Sequence, residues 1–174
     1  MAEQFSLKEG VSKLERSHYK TFIDASFDVS KKTYNWFKIG RDNDELSMEL
    51  SPSTETTKNV WDESDVQDNG YEPSMSVDPF YARKDDSIYP KIKEIAMERL
   101  TSDACKTTML EVLIDKTEGP FDAWTEECIV KPQSYGGGQG GFTIPFTITP
   151  CGNRKKGTVT IEAGKPVFAE AETE

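Results

Sequence analysis

Short segments in which apolar and polar residues alternate are the feature that most constrains the fold of this chain. The segment AWTEECIVK, residues 123–131, alternates between two sets of side chains, and residues 45–51 place Leu46, Met48 and Leu50 on one face. A period of two is typical of a β-strand, because successive side chains point to opposite sides of the sheet. These segments therefore predict strands rather than helices.

Similar segments, rich in β-branched and aromatic residues, recur along the chain with turn residues between them. The predicted strands cover residues 34–40, 45–51, 56–61, 74–80, 107–114, 123–131, 142–149, 158–161 and, as a last edge strand, 166–168. The run at 107–114 is the most apolar, which favours a central position in the sheet. About eight strands at this spacing favour a β-sandwich or barrel. The length of 174 residues favours a single domain over residues 1–174.

One segment, residues 87–101, has helical periodicity instead. Its apolar residues fall on one stripe, at Ile88, Ile92, Ile95, Ala96 and Leu100. Spacings of three and four residues predict an amphipathic helix that flanks the sheet. Asp86 or Ser87 is expected to cap it, and Pro90 is tolerated in a first turn. Residues 8–20 offer a second, weaker helical pattern.

The segment from residue 51 to residue 72 differs from the rest of the chain. It is polar and acidic, and its apolar residues are Val60, Trp61, Val66 and Tyr71. A connection this long inside a compact domain is usually functional or disordered. We interpret it as an extended arm or hairpin, in which Trp61 requires a partner because an exposed indole is costly in water.

A glycine-rich stretch, SYGGGQGGFTIPF at residues 134–146, raises the question of phosphate binding. A phosphate-binding loop needs a helix after its last glycine, and the Walker type also needs a lysine followed by a hydroxyl residue. Here Gly141 is followed by a predicted strand. We therefore expect no nucleotide or other cofactor, and interpret the stretch as a loop that permits close backbone approach at a subunit boundary, with Gly137 and Gly140 as its test positions.

The residues needed for metal binding or catalysis do not form a recognisable pattern. His18 is the single histidine, and the three cysteines, Cys105, Cys128 and Cys151, form no CxxC pair. Cys151 is expected to be exposed in a polar turn. The acidic residues between 62 and 68 do not match an EF-hand loop, which leaves a solvated acidic loop as the preferred interpretation over loose calcium binding. We expect no metal site and no enzymatic activity.

Charge is distributed unevenly. Residues 1–41 carry eight basic and five acidic side chains, whereas residues 42–72 carry one basic and ten acidic ones. The net charge of −10 makes the chain a poor nucleic-acid binder, because affinity for phosphates comes from cations. Residues 153–157 form a basic segment, interpreted as a solvated hairpin tip or as a contact for the acidic segment of another copy. No signal-peptide pattern or bilayer-length apolar run is present, so a soluble cytoplasmic product without membrane association is expected.

Taken in order, several short motifs resemble the major tail tube proteins of long-tailed phages and prophages of Gram-positive bacteria. The motifs are RSHY (16–19), WFKIG (36–40), ELS (45–47), SPSTET (51–56), NVW (59–61), GYEPS (70–74), VDPF (77–80), the glycine stretch from Tyr135 to Gly141, FTI (146–148), GNR (152–154) and GTV (157–159). None of them is specific alone, and the resemblance lies in their order over nearly the whole length.

The resemblance implies a β-sandwich with a flanking helix that assembles into hexameric rings, which stack into a tube for DNA passage. It implies a virion tail protein, assembled in the host cytoplasm, that contacts itself and the tape-measure, tail terminator and initiator proteins, while DNA passes through the lumen without tight binding. The family's long hairpin, which corresponds to residues 51–72, bridges subunits. The expected interface residues are Trp61, Val66, Tyr71, Gly137, Gly140, Arg154, Lys155 and Lys156.

Two alternatives remain open at this stage. The first stays within the same class: the inner tube of a contractile tail or of a secretion apparatus. The second is a monomeric β-sandwich binding module, for example for carbohydrate, that uses Trp36, Trp61 and Trp124 as stacking platforms. Trp36 and Trp124 alternate with polar neighbours as core residues do, so only Trp61 is expected to lie in a loop.

Overall fold

A computed structural model describes residues 7–171 of the chain. Strand accounts for 46% of the residues and helix for 10%, so the predicted mainly β fold is confirmed. The strands are β1 (Tyr19–Asp24), β2 (Trp36–Lys38), β3 (Met48–Glu49), β4 (Pro52–Lys58), β5 (Ser64–Tyr71), β6 (Ser74–Val77), β7 (Lys106–Leu113), β8 (Phe121–Pro132), β9 (Phe146–Glu162) and β10 (Lys165–Glu170). The α-helix is α1 (Tyr89–Glu98), and short 3-10 helices cover Arg16–His18 and Ser102–Cys105.

Eight of these strands form one strongly curled sheet, a half-barrel. Its order is β2-β1-β7-β8-β9-β6-β3, all neighbours are antiparallel, and β10 pairs with the C-terminal half of β9. The long strand β9 therefore holds the sheet together, since its first residues pair with β6 and its last with β10. Within residues 7–171, β2, β3 and β10 each have one strand neighbour, so the half-barrel has open edges.

The centre of the sheet is buried on both faces, as predicted for residues 107–114. Successive residues of β7 belong to different apolar clusters: Met109 packs with α1, whereas Leu110 and Val112 pack with Phe121 and Val159. All of these side chains are at most 3% exposed. Burial of both faces explains why this strand is continuously apolar while others alternate.

The predicted amphipathic helix is confirmed, with shorter bounds. In α1 the side chains of Ile92, Ile95 and Ala96 are buried against the sheet. Arg99 adopts a left-handed conformation, with φ of 52°, and ends the helix before residue 101. The capping prediction was wrong, because residue 88 is the N-cap and no side chain caps the helix. Instead, the backbone N–H of Tyr89 donates to the carbonyl of Asp86 at 3.1 Å.

Several predicted element boundaries were wrong. Residues 142–149 and 158–161, predicted as separate strands, belong largely to the single strand β9, so residues 150–157 are not a turn. Gly152 and Asn153 have positive φ, and the pairing register shifts opposite Glu127. The residues expected to form a turn therefore form a β-bulge within β9. The segment 8–20 contains only the 3-10 turn Arg16–His18 and the beginning of β1. Among the described residues, no helix is long and apolar enough to cross a membrane.

Residues 52–71 form a two-stranded sheet that is separate from the half-barrel. Strands β4 and β5 pair from Pro52 opposite Tyr71 to Lys58 opposite Ser64. We call this hairpin the arm. Every residue of its two strands is exposed except Gly70, which is partly buried. At its base the N–H of Glu72 donates to the carbonyl of Leu50 at 3.1 Å, which holds the two ends of the arm side by side.

Candidate assembly surfaces

The tip of the arm is ordered by one asparagine side chain. The Asn59 Oδ1 atom accepts hydrogen bonds from the backbone N–H groups of Trp61 and Glu63, at 2.9 and 3.0 Å. Its Nδ2 donates to the Glu63 carboxylate at 2.7 Å, and Lys58 pairs with Asp62 at 3.1 Å. A short polar side chain that satisfies loop N–H groups is typical of tight turns. This tip holds Trp61 away from the rest of the chain.

The arm exposes the aromatic and apolar residues that the sequence predicted as interface anchors. Trp61 is 78% exposed, and Val66 and Tyr71 are each 64% exposed. Buried aromatic side chains contribute much of the binding energy at interfaces, whereas exposed ones contribute nothing to the fold of the chain itself. The geometry therefore leaves these side chains available to a partner.

The two faces of the arm differ in chemistry. Thr56 lies opposite Val66 on one face, whereas the other face holds Glu55, opposite Gln67, and Asp65, opposite Thr57. Diagonal neighbours on one face of a hairpin lie about 7–8 Å apart, so the two carboxylates form a negative pair. Neither is in an ion pair within residues 7–171. We call this side of the arm the acidic face.

The glycine-rich loop is closed by a short antiparallel bridge. The N–H of Thr143 donates to the carbonyl of Gly136 at 2.7 Å, and the N–H of Gly136 donates to the carbonyl of Thr143 at 3.1 Å. Gly137 has φ of +120°, and a Cβ atom there would lie 2.4 Å from the carbonyl oxygen of Gly141. At Gly140 the nearest atom to such a Cβ, the Tyr81 hydroxyl, is 4.0 Å away.

The two glycines singled out by the sequence thus have different roles. Gly137 is required by the loop's own geometry, so a side chain there disrupts the loop before any subunit contact is tested. Gly140 has room for a side chain and is the better probe of an interface. In the chain the loop is followed by strand β9, which begins at Phe146, and not by a helix. This is the arrangement that argued against a phosphate-binding loop.

The basic segment 153–157 lies within β9, and two of its cations are already paired. The Arg154 guanidinium donates to Glu111 at 2.7 Å and to Glu126 at 2.8 Å, and it lies 5.9 Å from the centre of the Trp124 ring. Lys155 pairs with Glu170 at 3.1 Å. Both charges are therefore compensated within the chain, while Lys156 is exposed.

Glu111 joins this cluster to β1. It is 6% exposed and accepts a hydrogen bond from the Tyr19 hydroxyl as well as from Arg154. Burial, together with the Glu111 carboxylate, raises the pKa of Tyr19. A buried carboxylate with both partners present is stable, whereas removing either partner leaves it uncompensated. The cluster stabilises the sheet rather than presenting a free basic patch.

A second charged surface was not predicted from the sequence. A cleft of about 250 Å³ lies beside the beginning of β1, and we call it the basic cleft. Its lining carries four cations and one carboxylate, those of Arg16, Lys20, Lys38, Arg41 and Asp44. The signal in the sequence was the positive balance of residues 1–41. Only folding shows that the cations of β1, β2 and the following loop converge.

The groups considered for catalysis and metal binding are dispersed. The His18 Nδ1 atom accepts a hydrogen bond from the N–H of Glu15 at 2.8 Å, which fixes the ring within its own turn. Cys105 and Cys128 are buried and Cys151 is exposed. Burial raises the pKa of the Cys128 thiol, so this cysteine is held as an unreactive thiol. Over residues 7–171, no group of three or more His, Cys, Asp or Glu residues could hold a metal ion.

The three tryptophans lie on separate elements. Trp36, on β2, stacks on Tyr34 with ring centres 4.6 Å apart and is partly buried. Trp124, on β8, lies near Arg154, and Trp61 is at the arm tip. Of the three, Trp36 has an aromatic neighbour stacked on it within the described residues, and the carbohydrate-binding alternative stays a prediction.

Comparison of the chain with protein-family models finds no match, and comparison with curated proteins also finds none.

Proposed function

We propose that this protein is a structural subunit of a phage tail tube, without enzymatic activity, that self-assembles into stacked hexameric rings around a channel for DNA. The observation that carries the proposal is the arm. A hairpin of 20 residues, from Pro52 to Tyr71, leaves Trp61, Val66 and Tyr71 largely exposed. An isolated two-stranded hairpin is only marginally stable in water, so such an arm is best explained by contact with a partner.

The open edges of the half-barrel support the same function. Strands β2, β3 and β10 are the edges of the curled sheet, and each leaves one side of its backbone without a strand neighbour in the described structure. Unpaired edges are templates for pairing with another chain. A head-to-tail contact between identical subunits closes into rings or extends into filaments, which are the two arrangements that a stacked tube requires.

The charge of the chain also suits a channel for DNA. The net charge of −10 opposes tight binding of phosphates, so DNA would pass through the lumen without adhering to it. In this role the subunit belongs to the virion tail, is assembled in the host cytoplasm, and meets the tape-measure, terminator and initiator proteins. The same geometry serves the inner tube of a contractile tail or of a secretion apparatus.

The test is to replace residues 53–69 with two glycines and to image the purified protein by negative-stain electron microscopy. Because the Glu72 N–H to Leu50 carbonyl bond holds the ends of the arm together, the shortened chain is expected to keep the half-barrel. We expect tubes or rings from the wild type and none from the shortened chain, with the thermal unfolding midpoint of the half-barrel unchanged. A control is Glu98→Gln, at an exposed position of α1 outside the arm and the glycine-rich loop, which is expected to form normal tubes.

Normal tubes from the shortened chain would show that the arm is not needed for assembly. A wild type that stays monomeric at high concentration, with and without tail initiator proteins, would contradict the tube itself. In that case a monomeric binding module would become the better hypothesis.

A further inference from the structure

Two neighbouring residues at the base of the arm, Asn69 and Gly70, can react with each other. The backbone nitrogen that follows an asparagine can attack the carbon of its side-chain amide. Glycine favours this attack, because it has no Cβ to hinder the approach and because its backbone adopts many conformations. Asn69 is exposed, and it is the one asparagine of the sequence that a glycine follows. We call these two residues the Asn-Gly pair.

The fold of the arm places the Asn-Gly pair outside the regular strand pairing. Pro52 lies opposite Tyr71 and Thr54 lies opposite Asp68, and the register shifts between these two positions. The Asn-Gly pair therefore forms a bulge, in which two residues of β5 face one residue of β4. Gly70 has φ of +87°, and, its chain neighbours aside, no described atom lies within 4 Å of the position that a Cβ would take. The backbone here has room to move toward the asparagine side chain.

A carboxylate already accepts the hydrogen that the reacting nitrogen must lose. The backbone N–H of Gly70 donates to the Oδ1 atom of Asp68 at 2.9 Å, rather than to strand β4. An acceptor within hydrogen-bond reach of the proton to be removed has the geometry of a general base. Within residues 7–171 the side chain of Asn69 makes no hydrogen bond, so its amide is free to turn toward the nitrogen.

Two other exposed asparagines lack this arrangement and serve as comparators. The side chain of Asn59 is held by the tip of the arm, and the next residue is the β-branched Val60. The side chain of Asn153 donates to the Glu127 carboxylate at 3.0 Å, and the next residue is Arg154. In both cases the side-chain amide is engaged and the next residue carries a side chain that hinders attack.

From these observations we infer that the Asn-Gly pair is a self-modification site, at which Asn69 loses its side-chain amide with Asp68 as the base. The Gly70 nitrogen gives its proton to Asp68 and forms a bond with the Asn69 side-chain carbon. The bond from this carbon to the amide nitrogen breaks, and ammonia leaves with a proton returned to it, so a cyclic imide remains. Water then opens the imide at either carbonyl, which gives aspartate or isoaspartate. Overall, one amide and one water become a carboxylate and an ammonium ion, and no oxidant or reductant is needed.

The modification changes the base of the arm and leaves the half-barrel intact. Both products add a negative charge to the arm, and isoaspartate also lengthens the backbone of β5 by one carbon. The N–H of Glu72, which donates to the Leu50 carbonyl at 3.1 Å, lies three residues further along the chain. We expect faster hydrogen exchange at this N–H in the modified protein, at an unchanged unfolding midpoint of the half-barrel. The reaction needs no partner, so it does not depend on the proposed assembly.

The test is to incubate the dispersed subunit at mildly alkaline pH, both folded and unfolded in urea. Peptide mass spectrometry locates the mass gain of deamidation, and methylation by a protein isoaspartyl methyltransferase labels isoaspartate. We expect both signals in the peptide that contains Asn69, while Asn59 and Asn153 keep their amides. The folded protein is expected to react at least as fast as the unfolded chain, because the bulge and the Asp68 carboxylate assist the attack.

Three variants separate the roles of the residues involved. Gly70→Ala is expected to slow the reaction more than about tenfold, because its methyl group hinders the nitrogen. Asp68→Asn is expected to slow it severalfold, because the base is lost. The matched control, Asp65→Asn, removes the same charge from the same strand, at a residue paired regularly with Thr57, and is expected to react like the wild type. The thermal unfolding midpoint of each variant checks that the half-barrel is folded.

Four results would each overturn the inference. The first is a folded protein that reacts more than about tenfold slower than the unfolded chain, since the fold would then protect the amide. The second is deamidation spread equally over the comparator asparagines. The others are equal rates in the Asp68→Asn and Asp65→Asn variants, and an unchanged rate in Gly70→Ala.

Discussion

Two antiparallel strand pairs, β7–β8 and β4–β5, differ in the interactions that stabilise them. In β7, six of eight residues are buried, and the strand packs against apolar clusters on both faces. In β4 all seven residues are exposed, and the pairing relies on backbone hydrogen bonds and the Asn59 turn. Apolar burial contributes more to the free energy of unfolding than the net effect of hydrogen bonds does. The β7–β8 pair is therefore part of the core, whereas the β4–β5 pair adds little to the stability of the half-barrel.

The same local structure, an antiparallel strand pair, is thus buried in one part of the molecule and exposed in another. The exposed side chains of β4 and β5 are those that the proposed assembly would place against another copy. Substitutions in the half-barrel are therefore expected to change the free energy of unfolding, and substitutions in the arm are expected to change the strength of self-association.

The largest effect is expected at Gly157. A Cβ atom there would lie 2.2 Å from the carbonyl oxygen of Ala169 and 2.5 Å from the Phe168 ring, so the pairing of β9 with β10 would have to separate. We expect Gly157→Ala to cost about 3 kcal/mol or more in the free energy of unfolding, measured by urea denaturation. The arm counterpart, Gly70→Ala, meets open space at φ of +87° and should strain only the base of the arm, leaving the main unfolding transition within about 0.5 kcal/mol. Equal losses at the two positions would contradict the comparison.

A paired valine truncation gives the next largest effect. Val112 is fully buried, whereas Val66 is 64% exposed. Removing two methyl groups from the core loses their transfer free energy and leaves a cavity, so Val112→Ala is expected to cost about 2–3 kcal/mol. Val66→Ala should change the free energy of unfolding by less than about 0.5 kcal/mol, but weaken association. Thermal denaturation and sedimentation of both variants check this, and a large stability loss at Val66 would mean that the arm packs on its own chain.

The smallest effect concerns acid stability. Arg83 donates two hydrogen bonds to Asp42, at 2.6 and 2.7 Å, and holds the pKa of that carboxyl below its usual range. A carboxyl whose pKa is lower in the folded state stabilises the protein above its unfolded pKa of about 3.9, and this contribution is lost as the pH falls through the folded value. Asp42→Asn is therefore expected to flatten the loss of stability below about pH 4. Asp62→Asn, in the exposed arm pair with Lys58, should leave the profile unchanged.

Urea unfolding at a series of pH values from neutral to acid measures both profiles. Parallel profiles for Asp42→Asn and the wild type would show that the Arg83 pair does not contribute. A change at Asp62 as large as that at Asp42 would show that the arm takes part in the core after all.

The sequence predicted the strands whose own residues show a clear hydrophobic pattern. It missed features that depend on pairing with a neighbouring strand. The apolar run at 107–114 and the stripe through Ile92 and Ile95 specified a buried strand and a helix. Strand β1 was missed because it is buried on both faces and includes charged residues, so it shows no clean alternation. Gly152 and Asn153 predicted a turn, but pairing with β8 on both sides kept β9 continuous.

What the sequence determined by itself is the mainly β fold, the flanking helix and the unusual polarity of residues 51–72, because periodicity and composition are local properties. The tertiary structure decided which charges are free. It paired Arg154 and Lys155 with carboxylates from other strands, and it placed Arg16 and Arg41 in the lining of one cleft. Charge pairing depends on distances between residues far apart in the chain, which no local pattern contains.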